Sequence, residues 1–305
     1  MTNYTKYPSM ENSYNNRYIS KMVEHCGDMS DVRFVIHEKI DGCNIKLQFS
    51  PDGTMGVGKR NSWLEPGEKF NDIWNTLDRY EFIDRVKEYC IRNNETITLY
   101  GELYGEGIQN RVRYGQKKIA IFEMWQDDYL APQYKLHFFT DYYFIPKPPK
   151  LAIVTGLGAA LAYPETFDSK ILNEENNTAE GIVIKPYDEV LAYGHDIFML
   201  KKKSSKFEER PIKTKRSSLV SSEFKRVKAM FNLYMNENRV VSVFSKEGPI
   251  QEPSQIGHYI KLVVEDAKID FLKDHPDLEL SKEDMSKIYK ASGGTIAKYV
   301  KDGLC

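Results

Sequence analysis

The sequence predicts an α+β domain followed by a small all-helical domain. Up to about residue 210, short β-rich runs alternate with Gly, Asn, Asp and Pro punctuation. Beyond about residue 220, apolar residues recur at three and four positions, the period of a buried helix face. A length of 305 residues suits one large or two ordinary domains.

Residues 32–36 and Cys43–Phe49 read as neighbouring strands; in the second, Ile45, Leu47 and Phe49 alternate with Asn44, Lys46 and Gln48. Further strands are expected over 96–103, 117–124, 181–185 and 197–201, and helical spacing appears at 70–77 and 82–90. The charged stretch 208–222, which carries Pro211, reads as a linker, giving domains over 1–215 and 216–305. In the second, Phe224, Val227, Met230, Phe231 and Tyr234 form one amphipathic stripe. Ile256, Tyr259, Ile260, Val263, Val264, Ala267 and Phe271 form another. Ser281-Lys282-Glu283-Asp284 resembles a capping box opening a third helix, with Met285, Ile288 and Tyr289 inward. No internal repeat or low-complexity segment interrupts this order.

Composition narrows the partners. The net charge of −1 provides no global basic field, but basic residues outnumber acidic ones roughly three to one across 201–228. Cys26, Cys43, Cys90 and Cys305 form no CxxC pair and have no His at ligand spacing, which argues against zinc and against a disulfide framework. The polar N-terminus lacks a signal-peptide core, and the apolar stretch 151–162 is too short for a bilayer. A cytoplasmic protein with no membrane partner is expected.

Glu38-Lys39-Ile40-Asp41-Gly42 sets a lysine beside an acid and a glycine. Alone, KxDG is a weak signal, and a hairpin turning at Asp41-Gly42 is the plainer alternative. Downstream come Gly58-Lys59-Arg60, Tyr100-Gly101-Glu102-Leu103, Ile121-Phe122-Glu123, Ala179-Glu180-Gly181-Ile182-Val183-Ile184-Lys185 and Leu200-Lys201-Lys202-Lys203. Singly, Glu102 and Glu180 suit solvent-facing strand positions, Phe122 a core and the lysines a solvated charge run. No packing rule places all these types in this order.

Together they support one chemistry. A lysine amine, with an ordinary pKa of about 10.4, becomes a nucleophile when burial and nearby cations disfavour its charged form. Lys201 and Lys203 can supply those cations and neutralise a phosphate as it becomes pentavalent. Asp41, Glu102 and Glu180 can hold a hydrated Mg2+, and Phe122 offers a face for a nucleobase.

In order and spacing the six segments resemble the motifs of the covalent nucleotidyltransferases, which include DNA ligases, RNA ligases and capping enzymes. The chain further resembles the phage-type RNA ligase 2 family. The resemblance rests on Lys6-Tyr7-Pro8-Ser9-Met10-Glu11-Asn12, the run from Gly101 to Gln109 followed by Tyr114-Gly115, Thr178-Ala179-Glu180-Gly181, Ser205-Lys206-Phe207 and Asn238-Arg239-Val240-Val241. It implies a nucleotidyltransferase domain with antiparallel sheets and a helical RNA-binding domain in place of a β-barrel.

The resemblance implies ATP and Mg2+ (or Mn2+) as cofactors. Lys39 would take AMP from ATP, Glu38 would lie near the adenine edge, Glu102 would contact the ribose and Phe122 would stack. Asn44 and Lys59 would join the nucleotide contacts. Arg60 would position the sugar and the phosphate of the nucleic-acid end, and Lys201 and Lys203 would grip the α-phosphate. Asp41, Glu102 and Glu180 would engage metal through water. Tyr7, Phe70, Gln109, Arg239, Asp266 and Asp270 would serve RNA binding. The partner would be RNA with 5′-phosphate and 3′-OH ends, duplex or nicked, handled by a monomer. The rivals are a GTP-using capping-type guanylyltransferase and a non-catalytic RNA-end-binding protein. The chain departs from the family pattern at His37, Cys43 and Phe70-Asn71. His137, His195 and His258 show no constellation, Gly101, Gly105 and Gly107 do not fit a phosphate loop, and Tyr142-Tyr143-Phe144 is assigned to the core.

Overall fold

The computed structural model describes residues 4–208, 223–278 and 281–303. Contacts group the chain into two compact units, residues 1–206 and 207–305. The boundary expected at 215/216 and most of the expected linker fall outside the described residues.

The first unit opens with β1 (Glu11–Asn12) and α1 (Asn16–Cys26), the latter capped by Asn15, which accepts the Tyr18 N–H at 3.1 Å. Next come β2 (Arg33–Lys39), β3 (Cys43–Phe49), β4 (Met55–Lys59), α2 (Ile73–Leu77) and α3 (Phe82–Asn93). β5 (Ile97–Tyr104), β6 (Lys118–Gln126), β7 (Tyr129–Leu130), α4 (Gln133–Tyr142), β8 (Lys150–Thr155) and α5 (Leu157–Ala162) follow. β9 (Gly181–Pro186), β10 (Ala192–Tyr193), β11 (Asp196–Ile197) and β12 (Leu200–Lys203) complete the unit.

Two five-stranded sheets result, ordered β1-β12-β9-β2-β8 and β4-β3-β5-β6-β7. β2 and β3, expected to be neighbours, therefore belong to different sheets. Both edges of β2 are occupied, by β8 and β9, so Ile40-Asp41-Gly42 is a crossing between sheets and not a hairpin turn. Glycine is required at the crossing: a Cβ on Gly42 would lie 2.4 Å from the Leu103 carbonyl oxygen.

Each sheet buries one face. Phe34 and Ile36 of β2 join Ile182, Ile184, Phe198 and Leu200 beneath Met22 and Ala160. Ile45, Leu47 and Phe49 of β3 pack with Leu99, Ile121, Phe82, Val86 and Leu136 beneath the helices. Each fully enclosed side chain of this size contributes about 1.5–3 kcal/mol relative to exposure. The helix expected from residue 70 starts only at Ile73, because Asn71 and Asp72 adopt positive φ values of 49° and 61°. The strand expected over 197–201 is divided, with Phe198 and Met199 buried between β11 and β12.

The second unit contains α6 (Glu223–Asn232), α7 (Glu237–Glu247), α8 (Ile256–Asp274) and α9 (Lys282–Asp302). Val227, Phe231, Val243, Val263, Phe271, Ile288 and Ile296 meet in its core, as the helical period requires. Helix α7 had no assignment from sequence; its run of β-branched valines weakens the helical signature. Ser281 caps α9 by accepting the Asp284 N–H at 3.0 Å. Among the described residues, no helix is long and apolar enough to cross a membrane.

Candidate active site

Strand register assembles the basic face. Lys39 pairs with Gly181 across β2 and β9, and Gly181 pairs with Lys203 across β9 and β12. Two residues back, His37, Val183 and Lys201 form the parallel row. Side chains two apart share a sheet face, so Lys39, Lys201 and Lys203 lie on one side. Gly181 has φ 149°, and a Cβ there would lie 2.1 Å from the Lys202 carbonyl oxygen, which leaves no room for a side chain.

Glu180 precedes β9 and joins these lysines. Its Oε2 accepts from Lys39 Nζ at 2.6 Å, and its Oε1 lies 3.0 Å from Lys203 Nζ. The Lys39 side chain is 17% exposed and that of Glu180 only 4%. Burial alone would raise the Glu180 carboxyl, but Lys39 and Lys203 outweigh it and hold the group well below the usual carboxylate range.

Asp41 approaches from the crossing. Its backbone N–H donates to the Tyr114 hydroxyl at 3.0 Å, and its carboxylate accepts from Arg111 Nε, also at 3.0 Å. Burial pushes Asp41 upward, the Glu180 charge adds to this, and Arg111 opposes it. Glu102 on β5 lines the cleft opposite Asn44, its partner on β3. Burial pushes Glu102 up to about 8, Lys39 pulls it down, and the Glu180 and Asp41 charges push it up again. The three carboxylates thus feel one another, although among the described residues no group of three His, Cys, Asp or Glu side chains converges closely enough to hold a metal directly. They are the oxygen donors available here to a divalent cation, which prefers oxygen ligands and retains several waters.

An aromatic wall flanks these groups. The Phe122 ring lies 5.1 Å from that of Tyr7 and 5.2 Å from Lys185 Nζ. Lys185 also donates to Glu123 at 2.7 Å, and Tyr7 donates to the same carboxylate at 3.0 Å. Arg60 lies 6.0 Å from the Tyr7 ring centre, and its charge reaches Glu102. Lys59 lies 3.5 Å from Glu68. Lys46 is enclosed, its Nζ 4.5 Å from the Trp63 ring centre and 3.2 Å from the Thr5 carbonyl.

Other expected site residues sit elsewhere. The Glu38 carboxylate is buried and accepts from Ser169 Oγ at 2.6 Å and from the Lys170 N–H at 2.8 Å; strand alternation directs it away from the Lys39 face. Phe70 is only 3% exposed, locked in the core under the second sheet and not presented to a ligand. Gln109 is half-buried, with a positive φ of 48°. In the second unit Arg239 is wholly enclosed: it donates to Asp266 at 2.5 Å, to Asp270 at 2.9 Å and to the Tyr234 carbonyl at 3.0 Å. Its side chain ties α7 to α8 and has no free face for RNA.

Arg111 is a site residue that sequence reasoning missed, because only the fold carries it back to Asp41. A second omission is His37 Nε2, 3.1 Å from His137 Nε2 although the two residues are a hundred positions apart. Burial pushes His137 down to about 4, and Lys147 and Lys150 add to this; His37 is lowered by burial and by His137.

Two five-stranded sheets, antiparallel except where β1 joins β12, with a lysine–carboxylate–lysine cluster at the strand ends of the first, define the fold of an RNA ligase nucleotidyltransferase. Residues 32–203 match the RNA ligase family, and residues 217–302 match the T4 RNA ligase 2 C-terminal region. The chain belongs to the RNA ligase family, of the T4 RNA ligase 2 type. Among solved structures it resembles a Naegleria gruberi RNA ligase variant with ATP and Mn, with TM-score 0.53 and 18% identity over 68% of this chain and 58% of that one. The same ligase with PPi matches with TM-score 0.52 and 20% identity over 68% and 58%. The match thus spans less than two thirds of those ligases, and at this identity the likeness concerns the fold.

Proposed function

We propose that the protein is an ATP-dependent RNA ligase that seals 3′-OH/5′-phosphate nicks in duplex RNA through a lysyl-AMP on Lys39. The contact of Lys39 Nζ with Glu180 at 2.6 Å, with Lys203 on the other carboxylate oxygen, carries this reading. A half-buried amine at a strand end is thereby set among basic and aromatic side chains. ATP and a divalent cation are assigned on the site's chemistry, with support from the Naegleria gruberi ligase solved with ATP and Mn.

Lys39, once deprotonated, attacks the α-phosphorus; the P–N bond forms as the bond to pyrophosphate breaks. Glu180, held as a carboxylate, is a poor proton acceptor and serves to orient the amine. Lys201 and Lys203 meet the charge that builds on the α-phosphate. Phe122 offers its ring to adenine, and Glu102 and Asn44 lie where the ribose edge would pass. Mg2+ or Mn2+, bridged by water to Glu102, Asp41 and Glu180, would neutralise phosphate charge. The 5′-phosphate of the RNA then displaces Lys39 from AMP, and the 3′-hydroxyl displaces AMP to close the strand.

Residues 1–215 would conduct adenylylation and 216–305 would dock the duplex, in a cytoplasmic monomer. An A-form duplex is recognised through backbone geometry and 2′-hydroxyls, and a basic run such as 201–228 suits its phosphates. The test is incubation with α-labelled ATP or GTP plus Mg2+, then denaturing electrophoresis. Label from ATP, absent in Lys39→Ala and chased onto 5′-phosphorylated nicked RNA, is the expected result. Label from GTP alone would move the protein to the capping class, and no label in protein free of prior adduct would overturn the reading.

A further inference from the structure

The face of the second sheet opposite Glu102 is covered by α2, α3 and α4, and it carries an aromatic surface that nucleotide transfer does not use. Tyr134, Phe138 and Tyr142 recur every fourth residue along α4 and so share one side of the helix. That side is outward: Phe138 is 74% and Tyr142 67% exposed. Their rings stack with centres 6.4 Å apart and planes at 20°. This corrects the assignment of the Tyr142-Tyr143-Phe144 run to the core, since only Tyr143 is buried.

Phe144 extends the surface under strain. It is 77% exposed and has a φ of 56°, a left-handed conformation that bulky residues avoid. The turn is held by the Ile145 N–H donating to the Thr140 carbonyl at 2.8 Å, while Ile145 itself is buried. A strained backbone that aims a large apolar ring at water is a marker of use. Beside Phe144 opens a cleft of about 350 Å3 lined by Arg79, Tyr80, Phe82, Arg85 and Tyr143, with Glu81 as its carboxylate. The Arg85 guanidinium lies 5.4 Å from the Phe144 ring centre and donates to Glu81 at 2.8 Å. Arg79 donates to the Lys117 carbonyl at 2.6 Å, which engages part of its five-donor fork.

We propose that this surface binds unpaired RNA, with bases stacking on Phe138, Tyr142 and Phe144 and the backbone passing Arg79 and Arg85. Flat exposed rings accept any base, and with Arg85 paired to Glu81 the cleft lining keeps one net positive charge, on Arg79, to meet a polyanion. A soluble protein rarely exposes neighbouring large aromatics without a partner for them. The choice of RNA as the polymer rests on the RNA-ligase reading; the existence of the platform does not. The bound segment would be a single-stranded extension of the molecule being joined.

The test uses the full chain and a fluorescein-labelled oligouridylate, with binding followed by anisotropy at low salt. Phe138→Ala and Phe144→Ala should each weaken binding about tenfold, the lower part of the range for one base–aromatic stack. Phe144→Trp should retain it, and Arg85→Ala should reduce the salt dependence. Lysyl adduct formation from labelled ATP, and sealing of a nick without single-stranded extensions, should match the parent. Phe138 lies in an unstrained helix, so Phe138→Ala carries the test if the Phe144 variants fold poorly. No strand binding by the parent, or affinities within twofold of it in Phe138→Ala and Arg85→Ala, would overturn the proposal. Ring-sensitive strand binding without any lysyl adduct would sink the ligase reading and keep the platform; adduct formation with ring-insensitive binding would do the reverse.

Discussion

Arg111 holds the carboxylate of Asp41 through two of its nitrogens, with Nε 3.0 Å from Oδ2. A loop that follows β5 therefore sets the charge of the segment that delivers Lys39. Burial raises Asp41 above an ordinary carboxyl, and Arg111 opposes the rise most strongly, with Lys39 acting in the same direction as Arg111. Arg111→Ala should raise it further, so that Asp41 takes up its proton at a higher pH. The acid limb of the adenylylation profile should move towards higher pH, with activity recovering above it. A profile from pH 5 to 9 that keeps the parent's acid limb would remove Arg111 from the machinery.

Glu180 gives a second pH signature. Its folded-state value lies below the ordinary 4.5, because Lys39 and Lys203 outweigh burial. The stability it contributes is present above that ordinary value and is lost as pH falls through the depressed one. Glu180→Gln should melt lower than the parent at pH 7, and the gap should narrow as pH drops below 4. Adenylylation should fall by about 10²-fold or more, the scale of losing one preorganised electrostatic group. A gap that stays constant with pH would show that the carboxylate is not held by the two lysines.

The crossing between sheets predicts a steric effect. In Gly42→Ala the new methyl would lie 2.4 Å from the Leu103 carbonyl oxygen and 2.9 Å from Glu102 Cγ. Either Lys39 or Glu102 must shift. The variant should lose about 1–3 kcal/mol in urea unfolding, the usual scale of overpacking. Adenylylation should fall with it, and parent-like stability and rate would contradict the close approach.

The chemistry-bearing residues were legible because they recur as types in a fixed order, and Lys39, Glu180 and Lys203 do meet. The sheet partition was not. β2 and β3 each have strand character and lie three residues apart, so local pattern favours a hairpin, while the true partners of β2 begin at Lys150 and Gly181. Arg111 and the His37–His137 pair depend on the same long-range closure. Phe144 was misassigned because aromatic composition suggests a core, whereas it is 77% exposed at a turn where its φ is positive. The C-terminal helices were readable wherever leucine-like periodicity was strong, and α7 escaped because its valines carry no such bias.

Arg239 separates two ways in which the C-terminal unit can serve sealing. The sequence expectation was direct RNA contact, yet its side chain is fully enclosed and bound to Asp266 and Asp270. Removing it takes this cation from Asp270 and leaves Asp266 with Lys246. Because both carboxylates are partly exposed, the loss should fall at the low end of the about 3–5 kcal/mol for breaking a buried ionic pair. Arg239→Ala should therefore unfold the C-terminal helices at lower denaturant, impair strand sealing and leave lysyl adduct formation near the parent's level. A combined Arg239→Met, Asp266→Leu, Asp270→Leu variant should recover stability, since apolar replacement of a buried ionic group is often neutral or better. If sealing returns with stability, the cluster acts by holding α7 on α8. If stability returns and sealing does not, Asp266 and Asp270, which are 20% and 33% exposed, act on the substrate themselves.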